Sequence, residues 1–158
     1  SYPPTQMLAM ALCLHLSERH GLAPCIKWPN DVLLDGRKIA GILVETEGPC
    51  FLAGLGMNLS QMEFPDGLRR PAVSLSAALA ETGRDEVLSP ETELTSILDR
   101  IRSQLENPAD IREISQYLNI LGREVSVAIG DPSRNDILTG VVDGLQDDGA
   151  LVLRTADG

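Results

Sequence analysis

Hydrophobic and polar positions between residues 24 and 59 follow the two-residue period of β-strands. Asp35-Gly36 is a strong signal for a two-residue hairpin turn, and Gly48-Pro49 turns the chain a second time. Pro29 ends the first strand or confines it to a sheet edge, because proline lacks a backbone N–H. The pattern predicts a short strand followed by a three-stranded meander, over residues 25–28, 32–34, 39–44 and 51–59.

Apolar positions spaced by three and four predict helices around these strands. Thr5 is expected to cap the first helix, which runs to about Arg19 and has only a narrow polar stripe, so it should pack on the sheet. Ser89 and Pro90 begin the longest helix. Its apolar residues are predicted to form one buried stripe: Leu94, Ile97, Leu98, Ile101 and Leu105. Shorter helices are expected at residues 74–81 and about 109–118.

The pattern of the C-terminal part predicts a small domain made of β-strands. Strands are predicted at residues 124–129, 137–142 and 150–154, with a turn-rich loop at 130–135. Their spacing suggests a small barrel like an SH3 domain. Upstream, residues 61–71 have no sustained periodicity and are predicted to form an exposed, mobile loop.

Composition excludes several classes of partner. The chain has 158 residues, a formal net charge of −10 and 43% hydrophobic residues, so it should bury a core. Surfaces that bind nucleic acid or anionic membranes depend on clustered Lys and Arg, and an acidic chain is a poor candidate for either. The sequence shows neither an apolar run of transmembrane length nor a signal-peptide pattern, and a cytoplasmic location follows by default.

Candidate metal ligands and disulfides are few. Cys13, Cys25 and Cys50 are odd in number and widely spaced, which indicates reduced thiols and neither a disulfide framework nor a zinc site. His15 lies within the first predicted helix, with no second His, Cys or carboxylate at ligand spacing. It is therefore interpreted as a structural residue.

Three collinear motifs resemble the biotin protein ligases (biotin–acetyl-CoA-carboxylase ligases). They are KWPNDV at residues 27–32, GRKIAGILVE at 36–45 and GLGMNL at 54–59. The resemblance implies an α+β fold of the class II synthetase-like kind, a mixed β-sheet backed by helices with an SH3-like C-terminal barrel. Residues 1–120 would be the second half of the catalytic domain, and residues 121–158 a partial barrel.

The same resemblance implies an ATP-dependent reaction in two steps. Biotin and ATP give biotinyl-5′-AMP, and biotin is then transferred to a lysine of a biotin carboxyl carrier protein. Such chemistry needs fixed cations and Mg²⁺ to offset like charges, and it needs no protein nucleophile. The implied partners are the carrier protein and, in a homodimer, a second copy of the chain.

Three charged residues are carried over as catalytic. Lys27 matches the family lysine that reaches the biotin carboxylate and the adenylate phosphate, and Lys38 matches a lysine of the basic pair that contacts ATP phosphates. Asp31 would lie near the reacting centre, to hold Mg²⁺ or to orient the incoming amine. Asn30 and Asp31 are equally the residues with which an ordinary polar turn bonds its own backbone, and both interpretations stay open.

Further residues are assigned to substrate binding. Gly41, Gly54 and Gly56 would form a floor under the biotin ring, with Val32 and Leu43 as apolar walls. A second group would serve the adenylate. Asn58 would hydrogen-bond to the adenine edge, and the loop carrying Arg69 and Arg70 would close over the intermediate; a merely disordered loop is the alternative.

One family motif is missing. The Gly-Arg-Gly-Arg-x-Gly segment of biotin ligases, which contacts biotin and phosphate, does not occur in the sequence. The chain is accordingly expected to be a fragment of a longer ligase or a descendant that has lost part of the site. A non-catalytic binding module and a lipoate-type ligase are the alternative functions.

Overall fold

The computed structural model describes residues 3–130 and 136–156, so the loop predicted at residues 130–135 lies almost wholly outside them. The helices are α1 Pro4–Leu14, α2 Leu75–Glu81, α3 Pro90–Glu106 and α4 Ile111–Gln116, and a π-helical turn, His15–Arg19, directly follows α1. The strands are β1 Pro24–Lys27, β2 Asp31–Leu34, β3 Arg37–Glu47, β4 Cys50–Met57, β5 Glu124–Ala128, β6 Ile137–Leu145 and β7 Leu151–Arg154. The α+β class is confirmed.

The first sheet is an antiparallel meander in the order β1-β2-β3-β4. Asp35 and Gly36 have φ values of 48° and 76°, as a type I′ hairpin turn requires, so the predicted hairpin is confirmed. The expectation of a mixed sheet is wrong for these strands, because tight turns join neighbours antiparallel whereas parallel neighbours need a long crossover. Within the described ranges, parallel pairing is limited to two isolated bridges, one of which joins Ile26 to Leu118.

Helix α1 packs against the first sheet and against α3. All of its residues from Gln6 to Cys13 are buried, which agrees with the narrow polar stripe of the sequence. The predicted cap is wrong: the N-cap is Pro3, and Thr5 lies inside the first turn. The helix begins earlier because Pro4 has a backbone φ that suits the first helical position.

Helix α3 begins as predicted, with the Ser89 hydroxyl accepting a hydrogen bond from a first-turn N–H, but its predicted buried stripe is wrong in part. Ile97 is 5% exposed and Leu98 is 54% exposed. Leu94 and Leu105 are exposed as well. In the described chain α3 packs chiefly on α1 and the π-helical turn, so only a narrow stripe of its side chains is buried. That stripe includes the polar residues Glu93 and Gln104.

The two short helices, α2 and α4, each begin directly after a residue whose side chain caps the helix. Helix α2 lies where a short helix was predicted, and Ser74 is its N-cap, accepting a hydrogen bond from the N–H of Ala77 at 3.2 Å. Helix α4 is shorter than predicted at both ends: it begins after its N-cap Asp110, which accepts from the N–H of Arg112 at 2.7 Å, and it ends at Gln116. Among the described helices, none combines the length and the apolar character needed to span a bilayer.

The C-terminal strands form an open antiparallel sheet in the order β5-β6-β7. A closed SH3-like barrel is not seen in the described residues. Val142 and Leu145 of β6 belong to the same hydrophobic core as Ile114 of α4. The Trp28 indole N–H also donates to the carbonyl of Gly149 at 3.0 Å. The C-terminal sheet thus supports the turn that follows β1, and a domain boundary near residue 120 remains a prediction.

Candidate active site

The ends of β1, β2 and β3 bring two lysines to one carboxylate. Lys27 and Asp31 are paired across β1 and β2. The Lys38 Nζ lies 2.6 Å from Asp31 Oδ1, and the Lys27 Nζ lies 3.8 Å from Asp31 Oδ2. The Asp31 side chain is only 12% exposed, whereas that of Lys38 is 41% exposed. Each carboxylate oxygen therefore faces one ammonium group.

A β-bulge aims Lys38 at this site. Across β2 and β3, Val32 pairs with Ala40 but Leu33 pairs with Lys38, which leaves Ile39 as an extra residue. In a regular strand Lys38 would share the face of Ala40, which lies in the core. The bulge instead lets Ile39 enter the core, where it is fully buried, and turns Lys38 outward.

Gly41 makes room for the lysine. A Cβ atom built on Gly41 would lie 2.9 Å from the Lys38 Nζ and 3.5 Å from Asp31 Oδ1, too close for the lysine to keep its position. Gly54 and Gly56 have no such close neighbour. The absence of a side chain at Gly41 thus serves the ion pair, while at Gly54 and Gly56 it leaves open surface on β4.

The two asparagines of the motifs both bond the backbone. Asn30 donates its side-chain amide to the Ile42 carbonyl at 2.9 Å, which fastens the β1–β2 turn to β3. Asn58 donates Nδ2 to the carbonyls of Lys38 and Val73, each at 3.2 Å. Both donors of Asn58 are therefore used by the fold, and the side-chain oxygen is the atom left to meet a ligand.

The segment after β4 returns to the site through Lys38. The Lys38 N–H donates to the Pro71 carbonyl at 2.9 Å, and the Val73 N–H donates to the Lys38 carbonyl at 3.0 Å. This docking forms the second parallel bridge, between Lys38 and Ala72. The preceding residues, 61–71, have neither helix nor strand and are mostly exposed, as the sequence predicted for a loop. Their mobility remains a prediction.

These elements enclose a cleft of about 590 Å³. Its charged residues are Lys27, Asp31, Lys38, Arg69 and Arg70. The whole chain contains only two lysines, and both lie in this cleft. Four cationic groups around one carboxylate make a locally positive surface on a chain of net charge −10. Asn58 completes the polar lining, and the loop contributes apolar side chains.

A second, shallower hollow of about 430 Å³ lies along β3 and β4 and shares Lys38 with the cleft. Its lining includes the other predicted substrate-binding residues, Asn30, Gly41, Leu43, Gly54 and Gly56. Val32 is the exception, because it is fully buried in the core and lines neither space. Strand alternation explains this position: Asp31 faces the cleft, so its neighbour Val32 faces inward.

The described residues of the cleft do not fit a protein-bound Mg²⁺ ion. Asp31 is the one carboxylate among the lining residues, and both of its oxygens face lysines. A magnesium ion prefers several oxygen ligands and is repelled by ammonium groups. No step is therefore assigned to a metal held by these side chains.

A second polar cluster was missed by sequence reasoning. His15, His20 and Glu93 are all buried, and the Nε2 atoms of His15 and His20 lie 2.8 and 2.9 Å from the same oxygen, Glu93 Oε2. In a regular α-helix two residues five apart point about 140° away from each other. The π-helical turn that begins at His15 realigns the two histidines, and α3 supplies the carboxylate.

Burial and contact act together on the ionisation of this cluster. Burial alone would raise the pKa of Glu93, but the hydrogen bonds and charges of His20 and His15 outweigh it and hold the pKa below its ordinary value. Burial lowers the pKa of His15, against the opposing contact with Glu93. The carboxylate is thus charged and His15 neutral near neutral pH. Arg19 adds a third donor, with its Nε 3.3 Å from Glu93 Oε1.

Comparison with known proteins relates the chain to a family of ligases. The Biotin/lipoate A/B protein ligase family matches residues 4–59. The "Bifunctional ligase/repressor BirA" of Bacillus subtilis is 28% identical over 169 residues, covering 98% of this chain and 49% of the relative. The "Biotin--[acetyl-CoA-carboxylase] ligase" of Paracoccus denitrificans is 30% identical over 141 residues, covering 82% of this chain and 56% of the relative.

A solved structure agrees in fold over almost the whole chain. The biotin protein ligase from Aquifex aeolicus, in complex with biotin and ATP, has a TM-score of 0.80 and 26% sequence identity. The match covers 98% of this chain and 65% of that one. These findings confirm the resemblance that the three motifs indicated. The chain spans about half the length of the curated relatives it matches.

Proposed function

We propose that this chain, which is related to the biotin protein ligases, forms the phosphate- and carboxylate-handling part of an ATP-dependent biotin protein ligase. The observation that carries the proposal is the cleft in which the two lysines of the chain flank Asp31, with Arg69 and Arg70 in the same lining. A cationic cleft in an acidic chain favours an anionic ligand. The Aquifex aeolicus complex with biotin and ATP supports these two molecules as the substrates.

The proposed reaction forms and then consumes an acyl-adenylate. An oxygen of the biotin carboxylate attacks the α-phosphorus of ATP, so that biotinyl-5′-AMP forms and pyrophosphate leaves. The amine of a lysine on a biotin carboxyl carrier protein then attacks the acyl carbon; an amide bond forms, AMP leaves and the amine loses a proton. Both steps build negative charge on oxygen atoms, which fixed ammonium groups stabilise.

The positions of the charged residues suggest their roles. Lys27 and Lys38 stabilise the phosphoryl oxygens as point charges. Asp31 holds both lysines apart from each other and within reach of one ligand, and its charge orients the incoming amine. The Lys38 ammonium group can contact Asp31 in this position because Gly41 carries no side chain.

The remaining residues are proposed to bind the two ends of the substrate. The open surface over Gly41, Gly54 and Gly56 accepts the flat biotin ring, beside the exposed side chain of Leu43. Asn58 accepts a hydrogen bond from the adenine amino group through its free oxygen. The loop with Arg69 and Arg70 closes over the adenylate and excludes water from it.

Amine labelling tests the cleft on the chain itself. Since the two lysines of the chain are both in the cleft, an amine-reactive reagent followed by peptide mapping reports on this site and, separately, on the N-terminal amine. We expect a non-hydrolysable biotinyl-adenylate analogue to slow the labelling of Lys27 and Lys38 and to leave the N-terminal amine unchanged. Equal labelling with and without the analogue at saturating concentration would refute binding at this cleft.

The catalytic test uses the full gene product that contains this chain. It is incubated with ATP, Mg²⁺, a carboxyl carrier domain and either biotin, lipoate or octanoate, and the acyl-carrier product is measured by mass. Biotin incorporation is the expected result. Incorporation of lipoate or octanoate in its place would assign the protein to the lipoate-type ligases. Biotin binding without any acyl transfer would assign it to the non-catalytic binding modules.

A further inference from the structure

The buried triad, defined as His15, His20 and Glu93, has the donor set of a metal site. Its two imidazole nitrogens and one carboxylate oxygen all lie within 4.8 Å of one another. We propose that the triad binds one divalent cation of the zinc class. Two histidines and one glutamate are an established ligand set for Zn²⁺, and an imidazole nitrogen is the commonest protein ligand of this ion. The triad shares no residue with the cleft around Asp31.

The distances require a local rearrangement. With zinc bonds of about 2.0 to 2.2 Å in a tetrahedral arrangement, neighbouring ligand atoms lie roughly 3.3 Å apart. The two contacts with Glu93, 2.8 Å and 2.9 Å, need to lengthen by about 0.5 Å each, and the two imidazole nitrogens, which lie within 4.8 Å of each other, need to approach by up to about 1.5 Å. The His20 ring can make this shift because its Nδ1 has no hydrogen-bond partner among the described residues. Each imidazole then binds the ion through Nε2 as its Nδ1–H tautomer, so the proton that now lies between Nε2 and Glu93 moves to Nδ1 by way of water.

The ligands already have the supporting contacts that metal sites use. Metal-binding histidines usually bond a second group through the other ring nitrogen, and metal-binding carboxylates are bonded in turn. The His15 Nδ1 lies 3.1 Å from the Ser96 hydroxyl. The second carboxylate oxygen of Glu93, Oε1, lies 3.3 Å from the Arg19 Nε. Two of the three proposed ligands are therefore oriented before any ion arrives.

An ion has a path to the triad. A cavity of about 170 Å³ is lined by His20 and Glu93, together with Ser89 and Thr92 at the start of α3. It is large enough for a water molecule to complete the fourth coordination position. A bound ion would add a further link between the start of α3 and the π-helical turn, beside the contacts of Glu93 and the contact between His15 and Ser96.

Zinc titration of the metal-free chain tests the proposal. Calorimetry with Zn²⁺ is expected to show one site per chain, and saturation should raise the midpoint of thermal unfolding. His20→Asn and Glu93→Gln should each weaken Zn²⁺ binding at least about a hundredfold, and Ser96→Ala by about ten- to a hundredfold, since it removes only an outer partner of His15. Circular dichroism of each metal-free variant confirms that it is folded before titration.

A cysteine control separates this site from thiol binding. The triple variant Cys13→Ser, Cys25→Ser and Cys50→Ser should keep one Zn²⁺ site, and Co²⁺ in place of Zn²⁺ should give a visible spectrum without thiolate charge-transfer bands. The proposal is overturned if the folded wild-type chain binds no stoichiometric Zn²⁺. It is equally overturned if binding survives both Glu93→Gln and His20→Asn, or disappears in the folded cysteine variant.

Discussion

The cleft and the buried triad are two versions of one arrangement, a carboxylate that faces two nitrogen-bearing side chains. In the cleft, Asp31 faces two lysines beside open solvent and two further arginines. In the triad, Glu93 faces two histidines that are at most 3% exposed. The ammonium groups of the cleft are partly exposed, whereas burial lowers the pKa of His15 and favours its neutral form. The first arrangement therefore has cationic charge to offer an anionic ligand, and the second has a carboxylate and imidazole nitrogens, which suit a cation.

The difference also separates function from stability. The lysine end of the Asp31–Lys38 pair is 41% exposed, so water screens the pair and reduces its contribution to the free energy of unfolding. A sealed carboxylate is costly to desolvate, and removing it leaves its donors without partners. Substitutions in the cleft should consequently change activity with little effect on folding, and substitutions in the triad should do the reverse. Four experiments test this contrast.

The largest effect is expected for Lys27→Ala in the full gene product. If Lys27 stabilises charge that builds during adenylate formation, its loss should slow that step by at least about a hundredfold, or roughly 3 kcal/mol of activation free energy. Lys27→Arg should not restore the rate, because a planar fork replaces a point charge. Pre-steady-state pyrophosphate release measures the step. An unchanged rate would remove Lys27 from the mechanism.

Glu93→Ala should lower the free energy of unfolding of the metal-free chain by about 2 to 4 kcal/mol, because it leaves two buried imidazole N–H groups unpaired. Asp99→Ala is the matched control, since it removes an exposed carboxylate from the same helix and should change stability by less than about 0.5 kcal/mol. Urea denaturation measures both. A loss as small as that of the control would show that the triad does not hold α3 in place.

Gly41→Ala should reduce the use of ATP by about tenfold, since the new Cβ displaces the Lys38 ammonium from Asp31 without reaching backbone. A double-mutant cycle makes the test specific. In a Lys38→Ala background the added methyl group has no lysine to displace, so the effect of Gly41→Ala on the apparent KM for ATP should largely vanish. Additive effects of the two changes would mean that Gly41 acts on something other than Lys38.

The smallest perturbation is thiol labelling, which leaves the sequence unchanged. Burial raises the pKa of the Cys13 thiol far above its ordinary value and, to a lesser degree, that of Cys25. A raised pKa leaves less thiolate at a given pH, so reaction should slow in the order Cys50, Cys25, Cys13. Cys13 lies two residues before His15 and should react only on unfolding. Rapid labelling of Cys13 in the folded chain would show that this region opens.

The approach of the two lysines to Asp31 was predictable because these three residues lie close together along the chain. Lys27, Asp31 and Lys38 fall within two hairpin-linked strands, and the turn at Asp35-Gly36 specifies how those strands pair. Alternation then indicates which side chains share a face. What alternation could not show was the bulge at Ile39, because the bulge depends on the core accepting one more side chain. The inward position of Val32 does follow from alternation with Asp31, and the family resemblance wrongly made Val32 a wall of the binding site.

The triad and the exposed side of α3 were decided by tertiary structure. Helical spacing in the sequence marked Leu98 and Ile97 alike as buried, but only packing on α1 and the π-helical turn determines which is covered. Glu93 is 78 residues from His15 along the chain, and the π-helical turn changes the direction of His20. Local propensities report contacts between near neighbours in sequence. A site assembled from distant residues becomes visible only when the fold brings them together.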